Sequence, residues 1–292
     1  MAGRGARGWL TEARLIVAVA GVLVAGALIG GGIWLSDSLS AASADAVTAS
    51  PPLIPVPSLS SDTGAPSDPA PPAEVNTPVS LDGWSLILPV DADGNPSGVA
   101  TQSKAHPIDP WLVRDSDGSL IFFAPATGAK VAGTTSTRTE LFADNGFLFG
   151  SGTAHTLSAT VDVVRTSRYS NDVCLAQIGG RKSVPLVMLC YRGGSVVAQV
   201  SRDQHSNATT PYTLATDVTP GTRFSFTITD AGDGSLRFAA TYNGHTGTAV
   251  NRPDHVWTDT DVLFHAGDYQ QATTGSSAKD GTQVVFYQLS AS

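Results

Sequence analysis

The stretch RFSFTITDAGDGSLRFAATYNGHTG, residues 223–247, decides the fold that the sequence predicts. It contains two short runs, RFSFTIT and LRFAATY, in which apolar and polar positions alternate. DAGDGS lies between the runs and YNGHTG follows them, and such clusters of Gly, Asp and Asn are typical of tight turns. A period of two places one face of a strand in a core and the other in solvent. The stretch therefore predicts an antiparallel hairpin.

Similar runs recur along the chain and extend this prediction to a whole domain. They are WSLILPV, SLIFFAP, TLSATVDVV, DVCLAQI, PLVMLCY and TQVVFYQL. The 292 residues include 30 glycines and 18 prolines but few glutamates, whereas helix surfaces favour Glu, Lys, Gln and Arg. We therefore expect an all-β fold, an antiparallel β-sandwich or jelly roll.

The charge balance and the missing motifs exclude several classes of function. Seventeen basic and 25 acidic residues give a net charge of −8, which argues against a nucleic-acid partner. Two cysteines are too few for a disulfide scaffold or a zinc-finger array. The six histidines are dispersed along the sequence, which argues against a metal cluster. A glycosidase needs two carboxyl groups flanking one bond, but Glu140 is the only glutamate after residue 78 and most aspartates lie in turns.

The N-terminal segment predicts attachment to a membrane. Residues 15–35 carry no charge and are long enough to cross roughly 30 Å of hydrocarbon as a helix. Three arginines precede this segment and no basic residue follows until Lys104, so we expect a cytoplasmic stub and an extracytoplasmic remainder. The alternative is a cleavable signal, since the small residues at 42–44 resemble a cleavage site. The protein is then a single-pass cell-membrane protein, or a secreted one if the signal is cleaved.

Two further regions follow residues 1–35. Residues 36–78 contain half of the prolines together with many Ser, Ala and Thr residues, a composition that predicts a disordered tether. Residues 79–292 contain the strand-like runs and form the predicted folded domain. The N-terminal helix is its only expected contact with the membrane.

Cys174 and Cys190 lie in two strand-like runs whose midpoint, position 182, falls in the intervening turn. In a symmetric hairpin the two residues are opposite each other, and an exported protein can oxidise such a pair to a disulfide. The alternative is two buried free thiols. Alternation predicts that the first strand presents one set of side chains to the core and a second set to an open face. The first set is Cys174, Ala176 and Ile178, and the second is Leu175, Gln177 and Gly179.

Four segments, with GTQVVFYQL as a closing strand, together resemble polysaccharide lyase family 7, the alginate lyases. That family has the motifs Arg-Ser/Thr-Glu-Leu/Val-Arg, Gln-Ile/Val-His and Tyr-Phe-Lys-Ala-Gly-x-Tyr-x-Gln. The resemblance implies a jelly roll with a concave substrate cleft, and it extends over residues 81–290 in the correct order. The four segments are LDGWSLILPV (81–90), DSDGSLIFFAPATGAKVAGTTSTRTEL (115–141), AQIGG (176–180) and LFHAGDYQQ (263–271).

A uronate lyase must neutralise the sugar carboxylate before the neighbouring C5 proton can be removed. Within the resemblance, Arg138 is the candidate, because a planar guanidinium can bind a carboxylate through two parallel hydrogen bonds. Gln177 is a second candidate, as an amide donor to the same group. The alternative for Arg138 is an ion pair with Glu140, which alternation places on the same face. We assign Glu140 to orienting Arg138 rather than to proton transfer.

Tyr269 is the candidate for proton transfer. A phenol has an ordinary pKa of about 10, so it needs nearby positive charge to act as a base. Alternation places His265, Gly267 and Gln271 on the same face as Tyr269, where they could bind substrate, and Gly267 could let a sugar approach the backbone closely. The alternative is a sandwich tyrosine whose hydroxyl is satisfied by packing partners.

Three residues depart from the family pattern. Gly179 stands at the position of the family histidine, His265 at that of a lysine and Phe142 at that of an arginine. Without that histidine a single tyrosine can still serve sugars that carry H5 and O4 on one side of the ring. We therefore expect syn elimination on mannuronate- or glucuronate-type chains and poor action on guluronate. His265 could substitute for the histidine, but the sequence does not place it.

These observations predict a polyuronate lyase that acts on an acidic polysaccharide by β-elimination, as a monomer and without a cofactor or metal. The alternative is a non-catalytic carbohydrate-binding jelly roll that kept the cleft and lost the chemistry with Gly179.

Overall fold

The computed structural model describes residues 77–180, 184–275 and 277–292. The predicted membrane segment and nearly all of the predicted tether lie outside these residues. In the described part of the chain no helix is long and apolar enough to cross a bilayer. The described residues form sixteen β-strands and one short 3₁₀-helix, so the predicted all-β fold class is confirmed.

The strands follow one another along the domain, with the 3₁₀-helix (His255–Trp257) between β14 and β15. In chain order they are β1 (Trp84–Ile87), β2 (Gln102–Lys104), β3 (Leu112–Arg114), β4 (Leu120–Pro125), β5 (Arg138–Ala143), β6 (Phe147–Leu148), β7 (His155–Arg165), β8 (Asp172–Gly180), β9 (Val187–Arg192), β10 (Ser195–Ser201), β11 (Thr209–Ala215), β12 (Arg223–Asp230), β13 (Leu236–Tyr242), β14 (His245–Asn251), β15 (Asp261–Gln270) and β16 (Gly281–Ala291).

These strands form two antiparallel sheets. The first has the order β11-β10-β9-β8-β15-β5-β1-β2, with β6 paired to β15, and the second has the order β14-β13-β12-β7-β16-β4-β3. Buried apolar side chains of both sheets form one core, in which Phe122 of β4 and Phe286 of β16 meet edge to face with ring centres 5.1 Å apart. In the first sheet β8, β15 and β5 are neighbours although they are far apart in the sequence.

The stretch at 223–247 forms the hairpin that its sequence predicts. β12 and β13 pair with Thr229 opposite Arg237. Along β12 the burial alternates, and Ile228 is fully buried in the core. Gly232 and Gly234 in the turn have φ of 77° and 79°, a region that favours glycine. The turn chemistry and the period of two are thus sufficient to specify this part of the fold.

The predicted disulfide is confirmed, because Cys174 of β8 pairs with Cys190 of β9 and the two sulfurs are bonded. The predicted alternation is wrong for two residues of β8. A β-bulge lies between Cys174 and Ala176, so Leu175 belongs to the core, while Cys174 lies directly opposite Tyr269 on β15. A bulge adds one residue to a strand and reverses the facing of the side chains beyond it. The disulfide therefore lies on the outer face of the first sheet.

Candidate active site

Strand register assembles the candidate site on the outer face of the first sheet. On β5 and β15, Arg138 is opposite Tyr269 and Glu140 is opposite Gly267. Further along the same strand, His265 is flanked by Phe142 of β5 and by Gln177 of β8. Side chains directly opposite each other on one face are close enough to interact. The fold therefore brings together Arg138, Gln177 and Tyr269, which the sequence predicted to act jointly.

Glu140 is the centre of this cluster and is fully buried. Arg138 donates from Nη1 to its Oε2 at 2.8 Å, and the Gln177 amide donates to its Oε1. His265 Nδ1 lies 3.7 Å from Oε2. Burial by itself would raise the pKa of Glu140, but Arg138, followed by His265 and Gln177, outweighs that effect and lowers the pKa below its ordinary 4.5. Glu140 is thus an ionised carboxylate that holds the other side chains, which fits an orienting role.

Arg138 lies over the ring of Tyr269, with its guanidinium carbon 3.7 Å from the ring centre. The sequence interpretation required nearby positive charge to make this phenol a base. Burial is the largest effect on the pKa of Tyr269 and raises it above 10.0, and Arg138 offsets only part of that rise. In the free protein the phenol therefore keeps its proton at neutral pH. To act as a base, Tyr269 must first lose this proton.

His265 occupies the space above Gly179. A Cβ atom added to Gly179 would lie 2.1 Å from His265 Nε2 and 2.4 Å from its Cε1. The imidazole also packs on Phe142, with ring centres 3.8 Å apart. The three positions at which the sequence departs from the family pattern are therefore in contact in the structure.

Several buried polar atoms of the cluster form no hydrogen bond. Among the described residues, four of the eight buried side-chain atoms without a hydrogen bond belong to this cluster. Buried polar atoms are nearly always paired in proteins, and leaving one unpaired costs about 1–3 kcal/mol. Their concentration at one place marks this cluster as the candidate site. The four atoms are Arg138 Nε, Gln177 Oε1, His265 Nδ1 and His265 Nε2.

Gly267 has a different role from the one its position suggested. Its φ is 144°, and an added Cβ would lie 2.7 Å from the Thr139 carbonyl oxygen and 3.0 Å from the Glu140 Cα. Glycine is therefore required here by the close approach of β15 to β5. The position next to it, Asp268, was missed by the sequence interpretation.

Asp268 is fully buried and points towards the second sheet. It accepts hydrogen bonds from the Thr282 hydroxyl and from the Ala124 backbone N–H, on β16 and β4. Burial raises the pKa of this carboxyl well above 3.8, despite both hydrogen bonds. Asp268 thereby joins the strand that carries Tyr269 to the opposite sheet. Alternation along β15 was the available signal, since it places Asp268 on the face opposite to Tyr269.

Gln271 lies at the edge of the cluster, whereas Arg192 and His155 belong to other strands. The Gln271 amide donates to the backbone carbonyl of Tyr269 at 2.9 Å, so it supports the end of β15. Arg192 forms an ion pair with Asp172 at 2.9 Å. His155 lies on β7 of the second sheet, where it stacks on Phe147.

The family model described as alginate lyase matches residues 79–292, well over half of the chain. This chain belongs to the alginate lyase family. The resemblance carried by the four sequence segments is thus confirmed for the folded domain. The protein is accordingly a polysaccharide lyase that acts on polyuronate chains. The search of curated proteins gave no match.

Solved alginate lyases share the fold of this family member. Those from Pseudomonas aeruginosa and Klebsiella pneumoniae are each 24% identical to it, with TM-scores of 0.63. Each aligns with 73% of this chain, and the match spans 99% and 95% of their own chains, respectively. A variant of the family 7 alginate lyase A1-II′, with one histidine and one tyrosine replaced and the substrate GGMG bound, is 26% identical. Its TM-score is 0.60, and the match covers 73% of this chain and 93% of that one.

Proposed function

We propose that the domain cleaves 1,4-linked mannuronate- or glucuronate-type chains by syn β-elimination. The observation that carries this proposal is the set of unpaired buried atoms on Arg138, Gln177 and His265, gathered around the ionised Glu140 and beside the phenol of Tyr269. A sugar acid has both the carboxylate and the hydroxyl groups that such atoms would bind. The proposal assigns each side chain one task in the elimination.

Arg138 and Gln177 bind the uronate carboxylate in this scheme. Glu140 takes one N–H from each of them, through Arg138 Nη1 and the Gln177 amide. Arg138 Nε remains available to the substrate carboxylate, and the unpaired Gln177 Oε1 can accept a hydrogen bond from a substrate hydroxyl. Donors already in place for the negative charge that develops on the carboxylate during C5 deprotonation stabilise the transition state.

Tyr269 moves the proton. The base takes the C5 proton, the C5–H electron pair forms the C4–C5 double bond, the C4–O4 bond breaks and O4 receives a proton. An ionised Tyr269 can accept the first proton and deliver it to O4, so the phenolate is regenerated and no water is consumed.

The positions of Gly179 and Tyr269 support a preference for one stereochemistry. Gly179 offers no side chain on β8, and the proton-transfer group projects from β15 alone. Mannuronate and glucuronate carry H5 and O4 on the same side of the ring, so one group reaches both. Guluronate carries them on opposite sides and would need a second group across the ring.

The test is a panel of polymannuronate, polyguluronate and polyglucuronate, followed by the ultraviolet absorbance of the 4,5-unsaturated product. We expect product from the mannuronate or glucuronate polymer and little from polyguluronate. Faster cleavage of polyguluronate would contradict the syn assignment. Binding to a polymer without absorbance on any of them would instead favour the carbohydrate-binding alternative, which the glycine at 179 suggests.

We also propose that residues 15–35 anchor the enzyme in the cell membrane and that residues 36–78 hold the domain away from it. The uncharged length of the first segment and the proline content of the second support this arrangement. The anchor predicts that the full-length protein sediments with membranes and is released only by detergent. Recovery of a shortened form in the medium would favour signal cleavage and secretion.

A further inference from the structure

Gly179 and His265 fit together only because position 179 has no side chain. The imidazole occupies the volume that a Cβ at position 179 would need, and its Nε2 would be only 2.1 Å from that atom. The backbone of Gly179 does not adopt the left-handed conformation, so space alone demands glycine there. Phe142 limits retreat of the ring from the other side, at 3.8 Å between ring centres. The space that a side chain at position 179 of β8 would occupy is therefore filled by the imidazole of His265 from β15.

The electrostatic setting defines what the imidazole can do. Within the cluster, Arg138 and Glu140 balance each other's charge at 2.8 Å. An incoming uronate carboxylate adds a negative charge next to Glu140 and needs a further N–H donor. His265 is buried beside these groups, and neither ring nitrogen has a hydrogen-bond partner. An imidazole N–H is a suitable donor for that carboxylate.

We propose that His265 is a catalytic residue that binds the uronate carboxylate together with Arg138. Its imidazole can take this position only because residue 179 is a glycine. This inference rests on the proposed polyuronate elimination and adds a substrate contact to it. Removal of the imidazole should weaken recognition of the acid group. Replacement of Gly179 by a larger residue should have the same effect, because any side chain at 179 displaces the ring.

The first experiment measures binding in the full chain carrying Tyr269→Phe, so that substrate is not consumed. Calorimetry compares a mannuronate oligomer with the same oligomer after reduction of its carboxyl groups. We expect His265→Ala to weaken binding of the acidic oligomer about tenfold or more, as for the loss of one hydrogen bond to a charged group, and to leave the reduced oligomer unchanged. His155→Ala is the matched control, because His155 also stacks on a phenylalanine but on the second sheet.

Equal weakening for both oligomers would show a purely structural role and overturn the inference, as would no weakening for either. The proposed elimination fails by a different result, namely absence of unsaturated product from the unaltered protein on every polymer. The two failures are therefore distinguishable.

The second experiment tests the coupling between the two positions. We expect Gly179→Ala and His265→Ala each to lower kcat/KM by about 10²-fold, the loss found for one transition-state donor, and the double variant to be no worse than either. Added imidazole should restore part of the activity of His265→Ala, which keeps the space above Gly179, but not that of Gly179→Ala. The assignment would be contradicted if the two losses of kcat/KM multiplied in the double variant, or if added imidazole did not restore His265→Ala.

Discussion

The guanidinium carbon of Arg138 lies 3.7 Å from the centre of the Tyr269 ring, and the two residues are directly opposite each other on β5 and β15. Arg138 also forms an ion pair with Glu140 at 2.8 Å. The contact fixes the orientation of the phenol relative to the group that we assign to the sugar carboxylate. Proton transfer and charge neutralisation are therefore linked by one guanidinium.

Replacing Tyr269 with phenylalanine should separate chemistry from packing. The ring and its contact with Arg138 remain, whereas the proton is lost, so we expect kcat to fall by about 10²–10⁴-fold with little change in melting temperature. Tyr287→Phe is the matched control, since Arg223 covers that ring at 3.5 Å on the second sheet. Retained activity in Tyr269→Phe would remove the phenol from the mechanism.

The pH dependence of kcat/KM should reveal how Tyr269 works. Burial raises the pKa of its phenol above 10.0, and a base must be deprotonated to act. The phenolate fraction rises about tenfold per pH unit below that pKa, so we expect log kcat/KM to increase with pH up to the limit set by unfolding. A rate that falls above neutral pH would mean that Tyr269 acts only as a proton donor and that another group takes the C5 proton.

Glu140→Gln should destabilise the fold. The change leaves the Arg138 guanidinium buried without its counter-ion, and breaking a buried pair in this way costs about 3–5 kcal/mol. Because the pKa of Glu140 is lowered in the folded state, its stabilisation is complete above 4.5 and is lost as the pH falls through the folded value. Urea unfolding from pH 3 to pH 7 should therefore show a large difference near neutrality that shrinks in acid. A constant difference would argue against an ionised Glu140.

Asp268→Asn should have the opposite pH dependence. The folded-state pKa of Asp268 is raised, so its contribution to stability is complete below 3.8 and is lost as the pH rises through the folded value. Asparagine can accept from the Ala124 N–H through Oδ1 and donate from Nδ2 to the Thr282 hydroxyl oxygen, without ionising. We expect the melting temperature of the variant relative to the unaltered protein to rise with pH. A uniform loss at every pH would show that the carboxyl geometry matters more than its charge.

The disulfide should contribute to stability because it constrains the unfolded chain. Cys174 and Cys190 are 16 residues apart, and closing a loop of this size contributes about 3 kcal/mol. The double replacement by serine should lower the free energy of unfolding by about that amount, measured with urea. Since Cys174 is opposite Tyr269, we expect thermal inactivation to follow the same loss. Reduction of the unaltered protein serves as the control and should reproduce the effect.

Much of the fold could be predicted because local patterns agreed with it. The hairpin at 223–247 needed only alternation and glycine turns, and the disulfide followed from the symmetry of Cys174 and Cys190 about position 182. Alternation failed at Leu175, because a bulge depends on how two strands pair and leaves no clear mark in the residues themselves.

The sequence predicted which residues form the candidate site but not which of their side chains touch one another. Motif order supplied Arg138, Gln177 and Tyr269, and alternation paired Arg138 with Glu140. The raised pKa of Tyr269 depends on burial, and burial depends on neighbouring strands that the sequence does not align. Asp268 was missed for the same reason, since its partners Thr282 and Ala124 belong to the other sheet.

The sequence by itself determined the period of the strands, the turns between them and the types of side chain available for chemistry, because these depend on neighbouring residues. Only the tertiary structure decided that the imidazole of His265 lies above Gly179 and that Glu140 joins Arg138 to Gln177. Those contacts arise from the register of β5, β15 and β8, which are separated by long stretches of chain. Register is set by packing of the whole sheet, so no local pattern contains it.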